Sequence, residues 1–234
     1  METRNKSRGR FEEIDFFRGL ALLGMIVFHL VWDLKVFYDY PFDLEGGFYY
    51  WLGKVSGWTF ILISGMSCAF SRNNVRRAVR VLAVAFGISL VTYFYDARNW
   101  IAFGILHLLG WNMLFYRFYR FLSPFAAFWW GTLTIIIGEI FLRIPMGGDL
   151  LFFLGLRSQE YASLDYFPLL PYSGIFLYGV ALAKIFYPAG NRLFSINFPP
   201  NPISSLGRRT LILYLAHQPL ILAGLYLLSR LELI

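Results

Sequence analysis

The chain is constrained most by seven apolar stretches, each long enough or nearly long enough to cross a lipid bilayer. They run roughly Phe16–Phe37, Phe48–Phe70, Val75–Tyr95, Trp100–Tyr116, Phe121–Leu142, Phe167–Tyr187 and Leu206–Leu228. Hydrocarbon offers backbone groups no water, so each segment must satisfy its own N–H and C=O groups, and a helix does this. The expected fold is therefore all-α: a polytopic integral membrane bundle of about seven transmembrane helices, forming one domain over residues 1–234. The stretch Leu150–Leu156 is too short to span and is expected at an interface or as a re-entrant piece. The segment Asn197–Pro202, with three prolines, is expected as a loop.

Composition agrees. Of 234 residues, 58% are hydrophobic and only 15% charged, which excludes an ordinary soluble domain. Aromatic residues make up 20%, as interfacial belts require. A net charge of +7 would point to nucleic acid in a soluble protein, but here the cations cluster in alternate loops. One set of helix ends carries 15 Lys and Arg residues, from Arg4 through Arg209, and the opposite set carries 6. This bias predicts a cytoplasmic N-terminus, an outward C-terminus, a multi-pass position in the cell membrane, and no nucleic-acid partner. The N-terminus lacks the order of a signal peptide, so the first apolar segment is read as mature sequence. The single cysteine, Cys68, allows neither an internal disulfide nor a cysteine metal motif.

Against this apolar background a few polar residues are conspicuous. Arg18 and His29 are eleven steps apart on the first helix, about 16 Å along its axis and on one face. Intramembrane ionisable groups are functional suspects, and histidine is the usual proton carrier near neutral pH. Asp33, one turn beyond His29, is placed to orient its ring or stabilise its cation. Asp15 shares the side of Arg18, and helix capping is an equal reading for it. His107 and His217 also fall inside apolar segments, where bridging between helices is an even alternative to chemistry. Gly104 and Gly110 flank His107 at three-residue spacing. Pro219 loosens the turn that carries Tyr214, His217 and Gln218, which either line a cavity or repair the break. Ser64 and Gly65 permit close helix approach. Arg72, Arg76, Arg77 and Arg80 read either as a topology anchor or as a phosphate site, since guanidinium groups grip phosphate in bidentate fashion.

Three pieces, in order, give the chain a family resemblance: Asp15-x-x-Arg18-Gly19-x-Ala21 with His29 beyond; Phe60-x-x-x-Ser64-Gly65 followed by the four arginines; and Gly207-Arg208 leading to Tyr214-Leu-x-His217-x-Pro219. Asp165-Tyr-Phe-Pro168-Leu-Leu-Pro171 adds to them. The chain resembles the transmembrane acyltransferase superfamily, and most closely its heparan-alpha-glucosaminide N-acetyltransferase catalytic-domain family. That resemblance implies an enzyme taking acetyl from cytosolic acetyl-CoA, its co-substrate, and delivering it to an extracytoplasmic glycan or amino sugar. It also implies a catalytic His29 with Arg18 as the matching arginine, and is compatible with a homodimer.

On this reading Arg18, Ser64, Gly65, Arg72, Arg76, Arg77 and Arg80 hold coenzyme A, and its pantetheine arm carries the thioester inward. His29 deprotonates the acceptor or becomes transiently acetylated. Asp33 orients the His29 ring or stabilises its cation, and His107 and His217 are orienting groups or oxyanion donors. No metal is expected. Two other readings are a seven-span zinc hydrolase using the three histidines, and a non-catalytic transporter or lipid-binding module. Zinc needs three or four converging ligands, and no His-x-x-x-His pair is present.

Overall fold

The computed structural model describes residues 11–188, 191, 193 and 198–233. Arg4, Lys6, Arg8, Arg10 and Arg192, which contribute to the charge bias, and Asn197 of the expected loop lie outside these residues. Among the described residues the protein is all-helical: α1 (Glu12–Tyr38), α2 (Gly47–Cys68), α3 (Asn74–Tyr95), α4 (Ile105–Tyr119), α5 (Pro124–Phe141), α6 (Leu169–Phe186), α7 (Pro202–Arg208) and α8 (Thr210–Arg230). A 3₁₀ turn at Phe152–Leu154 occupies the stretch expected to be too short to span.

Each of the seven expected segments contains a helix. Among the described residues, five helices are long and apolar enough to cross a membrane by length and composition: α1, α3, α5, α6 and α8. Helix α4 has 15 residues, about 22 Å by its rise, against about 30 Å of hydrocarbon. Helix α2 has 22 residues and carries Gly, Tyr, Trp, Ser and Lys54 among its apolar ones. The last expected segment divides into α7 and α8 at Arg209, where Thr210 Oγ1 donates to Gly207 O.

The distribution of side chains is that of a protein in lipid. Large apolar groups face outward, with Phe94 79% and Phe125 74% exposed, while Asp33 and Asn112 have no exposed surface. A water-soluble surface does not carry so many outward aromatics.

The chain folds as two compact units, residues 1–60 with 196–234, and residues 61–195. In the first unit, α1 opens with Glu12, Glu13 and Asp15, acidic residues that suit the positive end of a helix dipole. It ends at Asp39, whose left-handed backbone (φ 56°) lets its N–H reach Leu34 O. Helix α7 lies directly on the start of α1. A Cβ at Gly207 would overlap Asp15 O, and one at Gly19 would overlap Ile203 O. The Arg208–Glu12 ion pair at 2.8 Å spans the same contact. Being partly solvated, such a pair adds about 0–1 kcal/mol, so close backbone packing dominates this contact.

In the second unit the helices also meet through small residues. A Cβ at Gly65 would overlap Phe176 O, and one at Gly179 would overlap Leu62 O. This is how helices associate where lipid removes the hydrophobic drive between them. Polar bonds then set register. Asn112 Nδ2 donates to Ser173 Oγ at 2.9 Å, and Tyr119 Oη donates to Asn112 Oδ1 at 3.3 Å. Lys184 of α6 donates to the carbonyls of Tyr119, Arg120 and Leu122 at and just past the end of α4, where a cation is favoured. The start of α4 is held from sixty residues downstream, because Asp165 Oδ2 accepts the Ile105 N–H at 2.9 Å. Burial pushes the Asp165 carboxyl up to about 6, with the Ile105 N–H opposing the rise.

Two alanine substitutions of opposite sign test this packing. Gly65→Ala places a methyl group against Phe176 O and is expected to cost about 1–3 kcal/mol. Gly87→Ala, on α3 with nothing within 4 Å of its added carbon, is expected to be neutral or to gain up to about 1 kcal/mol in helix propensity. Melting temperatures of the two variants in detergent decide the matter. An equal effect at both positions would be inconsistent with the α2–α6 contact.

Candidate functional site

The first and third sequence pieces meet along α1, within the first unit. Near the start of the helix, Arg18 Nη1 donates to Asp15 Oδ1 at 2.6 Å and to Gly207 O at 3.3 Å. Asp15 is only 3% exposed. The Asp15-x-x-Arg18-Gly19 piece is therefore packed against Gly207-Arg208, nearly 190 residues away in sequence.

Three turns further on, His29 faces His217 of α8, with ring centroids 5.0 Å apart. His29 Nδ1 lies 2.9 Å from Met25 O, and His217 Nδ1 lies 2.5 Å from Tyr214 O. A carbonyl can only accept, so each ring carries its proton on Nδ1 and, when neutral, presents a lone pair at Nε2. Both rings are thus held in the tautomer that makes Nε2 basic. His217 is 7% exposed, and its Nε2 is enclosed without a hydrogen-bond partner among the described residues. As a neutral ring His217 has no N–H left for an oxyanion; the geometry gives it an acceptor's role.

Asp33 sits one turn beyond His29, as the spacing requires, but its partner is different from the one expected. Both carboxylate oxygens accept from Gln218 Nε2, at 3.0 and 2.8 Å. The expected bond from Asp33 to His29 is replaced by this one. The tertiary contact takes precedence because Gln218, next to Pro219 within helix α8, brings an amide N–H directly to a carboxylate with no exposed surface.

His107 lies in the second unit, and its ring is fully engaged there. Nδ1 accepts from Gly104 N–H at 3.2 Å, closing the start of α4, and Nε2 lies 3.2 Å from Ser89 Oγ. Ser89 Oγ itself donates to Ile101 O at 2.6 Å, so the His107 Nε2–H is the donor in that pair. Phe103 stacks on one side of the ring and Phe86 meets it edge-on. With both nitrogens committed, His107 caps and packs, and the three-histidine zinc reading loses a ligand. Among the described residues no three His, Cys, Asp or Glu side chains group as a metal set.

Ser64 and Gly65 lie on the buried face of α2, where Gly65 serves close approach. The arginines sit at the start of α3, which Asn73 caps by accepting the Arg76 N–H at 2.8 Å. Arg72, Arg76 and Arg80 are exposed, and Arg77 reaches Asn74 Oδ1 at 3.4 Å. Among the described residues no carboxylate pairs with any of the four. They form an exposed cationic patch with donors to offer an anion.

Outward apolar helices and a buried polar seam along α1 define a polytopic helical membrane protein. The chain belongs to the heparan-alpha-glucosaminide N-acetyltransferase catalytic family, whose model matches residues 10–219. The match begins just before α1 and ends at Pro219, so it includes all three sequence pieces and both histidines of the seam. No curated protein and no solved structure matches the chain.

The Asp33–Gln218 bond can be weighed by a double-mutant cycle. Asp33→Ala strands a buried amide and Gln218→Ala strands a buried carboxylate, each expected to cost about 1–3 kcal/mol or more. The double variant is expected to lose clearly less than the sum, with a coupling of about 0.5–3 kcal/mol. Additive losses in denaturant or thermal melts would mean the two residues do not depend on each other.

Proposed function

We propose that the protein is an integral-membrane, acyl-CoA-dependent acetyltransferase in the cell membrane, a single domain with a cytoplasmic N-terminus. It moves acetyl from cytosolic acetyl-CoA to a hydroxyl or amine of an extracytoplasmic glycan or amino sugar. The observation that carries this reading is the pairing of His29 with His217 in a chain of this acetyltransferase family. His29 is the base. As the acceptor oxygen or nitrogen attacks the thioester carbonyl, its proton passes to His29 Nε2. The C–S bond then breaks, and the imidazolium returns the proton to the leaving thiolate, so coenzyme A departs as a thiol. A route through acetylated His29 uses the same Nε2 lone pair. Arg72, Arg76, Arg77 and Arg80 bind the phosphates of coenzyme A. Arg18 fixes the start of α1 through Asp15 and Gly207.

With labelled acetyl-CoA, His29→Ala is expected to remain folded, since it leaves no buried charge unpaired. Its acetyl transfer should fall by about 10²–10⁴-fold, the scale of a general base. Full activity in a folded His29→Ala protein would remove His29 from the mechanism.

Removing charge at the start of α3 separates phosphate binding from topology. Arg76→Ala/Arg77→Ala is expected to weaken coenzyme A binding by roughly 1.5–3 kcal/mol for each charge-assisted hydrogen bond to phosphate that it deletes, with Arg72 and Arg80 still biasing insertion. Affinities for coenzyme A and dephospho-coenzyme A are the measurement. Unchanged values for both would reduce the patch to a topology signal.

Sidedness is tested in sealed vesicles of known orientation. Acetyl-CoA supplied only at the cytoplasmic face is expected to label an impermeant acceptor enclosed on the other side. Labelling that requires both substrates on one face would end the transmembrane part of the proposal.

A further inference from the structure

His217 and Gln218 are neighbours on α8, and each ends in an acceptor that nothing among the described residues satisfies. His217 commits its Nδ1–H to Tyr214 O, and its Nε2 is enclosed without a partner. Gln218 commits its amide nitrogen to Asp33, which leaves Oε1 enclosed without a partner as well. The amide orientation follows from chemistry, because the reverse would set an oxygen against the carboxylate. His29, with Nδ1 on Met25 O, carries its lone pair at Nε2, and Asp33 can only accept when ionised. The seam therefore has more acceptors than donors: two imidazole lone pairs, an amide oxygen and a carboxylate, with the Gln218 amide nitrogen directed at the carboxylate. Orphaned buried acceptors are costly, and two together on one turn call for a group that donates.

We propose that His217 Nε2 and Gln218 Oε1 form a donor-reading subsite that binds ligands carrying several O–H or N–H groups, the chemistry of a polyol or amino alcohol. The Asp33 carboxylate favours the ammonium form. The inference rests on the reading of this seam as the acceptor substrate's site and assigns recognition to α8, apart from the base on α1. Ligands that can only accept hydrogen bonds are excluded, because they leave both orphan atoms unpaired.

The test is a binding titration on the purified full chain without acetyl-CoA. Glucosamine is the probe, and its fully O-methylated, N,N-dimethylated counterpart is the comparator. On the native protein the methylated compound is expected to bind at least about tenfold more weakly. Three variants locate the contacts. His217→Asn keeps an N–H for Tyr214 O but deletes the acceptor at Nε2. Gln218→Lys keeps a donor on Asp33 but deletes Oε1. Both are expected to bind glucosamine about tenfold more weakly. His217→Gln, whose amide reaches the Nε2 position, is expected to recover binding. A native protein that does not distinguish the two compounds overturns the subsite even if every variant fails to fold, as does undiminished glucosamine binding by both folded deletion variants. Acetyl-CoA is absent, so the two readings fail separately. Donor-dependent binding in a protein that never transfers acetyl removes the acetyltransferase reading and keeps the subsite. Transfer with variant-independent binding does the reverse.

Discussion

Asp33 is a carboxylate with no exposed surface on a helix whose neighbours are Val31, Trp32 and Leu34. Left alone it would be among the most costly groups in the chain. Gln218 meets both of its oxygens, and that contact ties α1 to α8. Helices in lipid gain little from burying apolar surface against each other, so polar bonds and close backbone approach decide how they pair. Helix α1 has one fixing point of each kind. At its start, Gly19 and Gly207 let α7 close on Asp15 and Arg18. Eighteen residues later, about 27 Å along the axis, Asp33 meets Gln218. Two fixing points on one helix restrict both its rotation and its slide. His29 lies between them, and its approach to His217 is set by that restriction.

The histidines show how partners divide one residue type into different roles. His107 accepts at one nitrogen and donates at the other, between Gly104 and Ser89. His29 and His217 each hold a backbone carbonyl with Nδ1 and leave Nε2 unbonded among the described residues. An imidazole pinned in this way is oriented, fixed in tautomer and basic at the free atom, as proton transfer and nucleophilic attack both require. The distinction lies in which atoms surround the ring: His107 is the most deeply buried of the three, yet His217 is buried too and leaves Nε2 without a partner among the described residues.

The helical segments are legible in the sequence because length and hydropathy are local properties. The break at Arg209 is less so: Gly207-Arg208-Arg209-Thr210 carries no proline, and the turn closes through a threonine hydroxyl bonded to Gly207 O. Hydropathy starts helix α4 at Trp100, whereas it begins at Ile105, because its start is set by Asp165, whose position depends on the fold of another loop. At the site, spacing along one helix brings Arg18, His29 and Asp33 to one side. Spacing cannot supply partners from elsewhere, and it assigns Asp33 to His29 when Gln218, 185 residues away, competes more strongly. Gln218 is visible beside His217 and Pro219, but its role follows only from the carboxylate it meets.

The same reasoning sorts the arginines. In sequence, Arg18, Arg72, Arg76, Arg77, Arg80 and Arg208 form one population of cations near helix ends. In the fold they separate by what they meet. Arg18 meets Asp15 at 2.6 Å and Arg208 meets Glu12 at 2.8 Å, and both sit where α7 closes on α1. Their charge is largely balanced within the protein, so an incoming anion would compete with a carboxylate already in place. The arginines at the start of α3 meet no such carboxylate among the described residues, and three of the four are exposed. A phosphate arriving there gains charge-assisted hydrogen bonds without displacing one. Capping by Asn73 fixes the first turn of α3, and with it the spacing of Arg76, Arg77 and Arg80 on successive turns. An anion site on this protein is therefore better supported at α3 than at the arginine that the sequence aligns with His29.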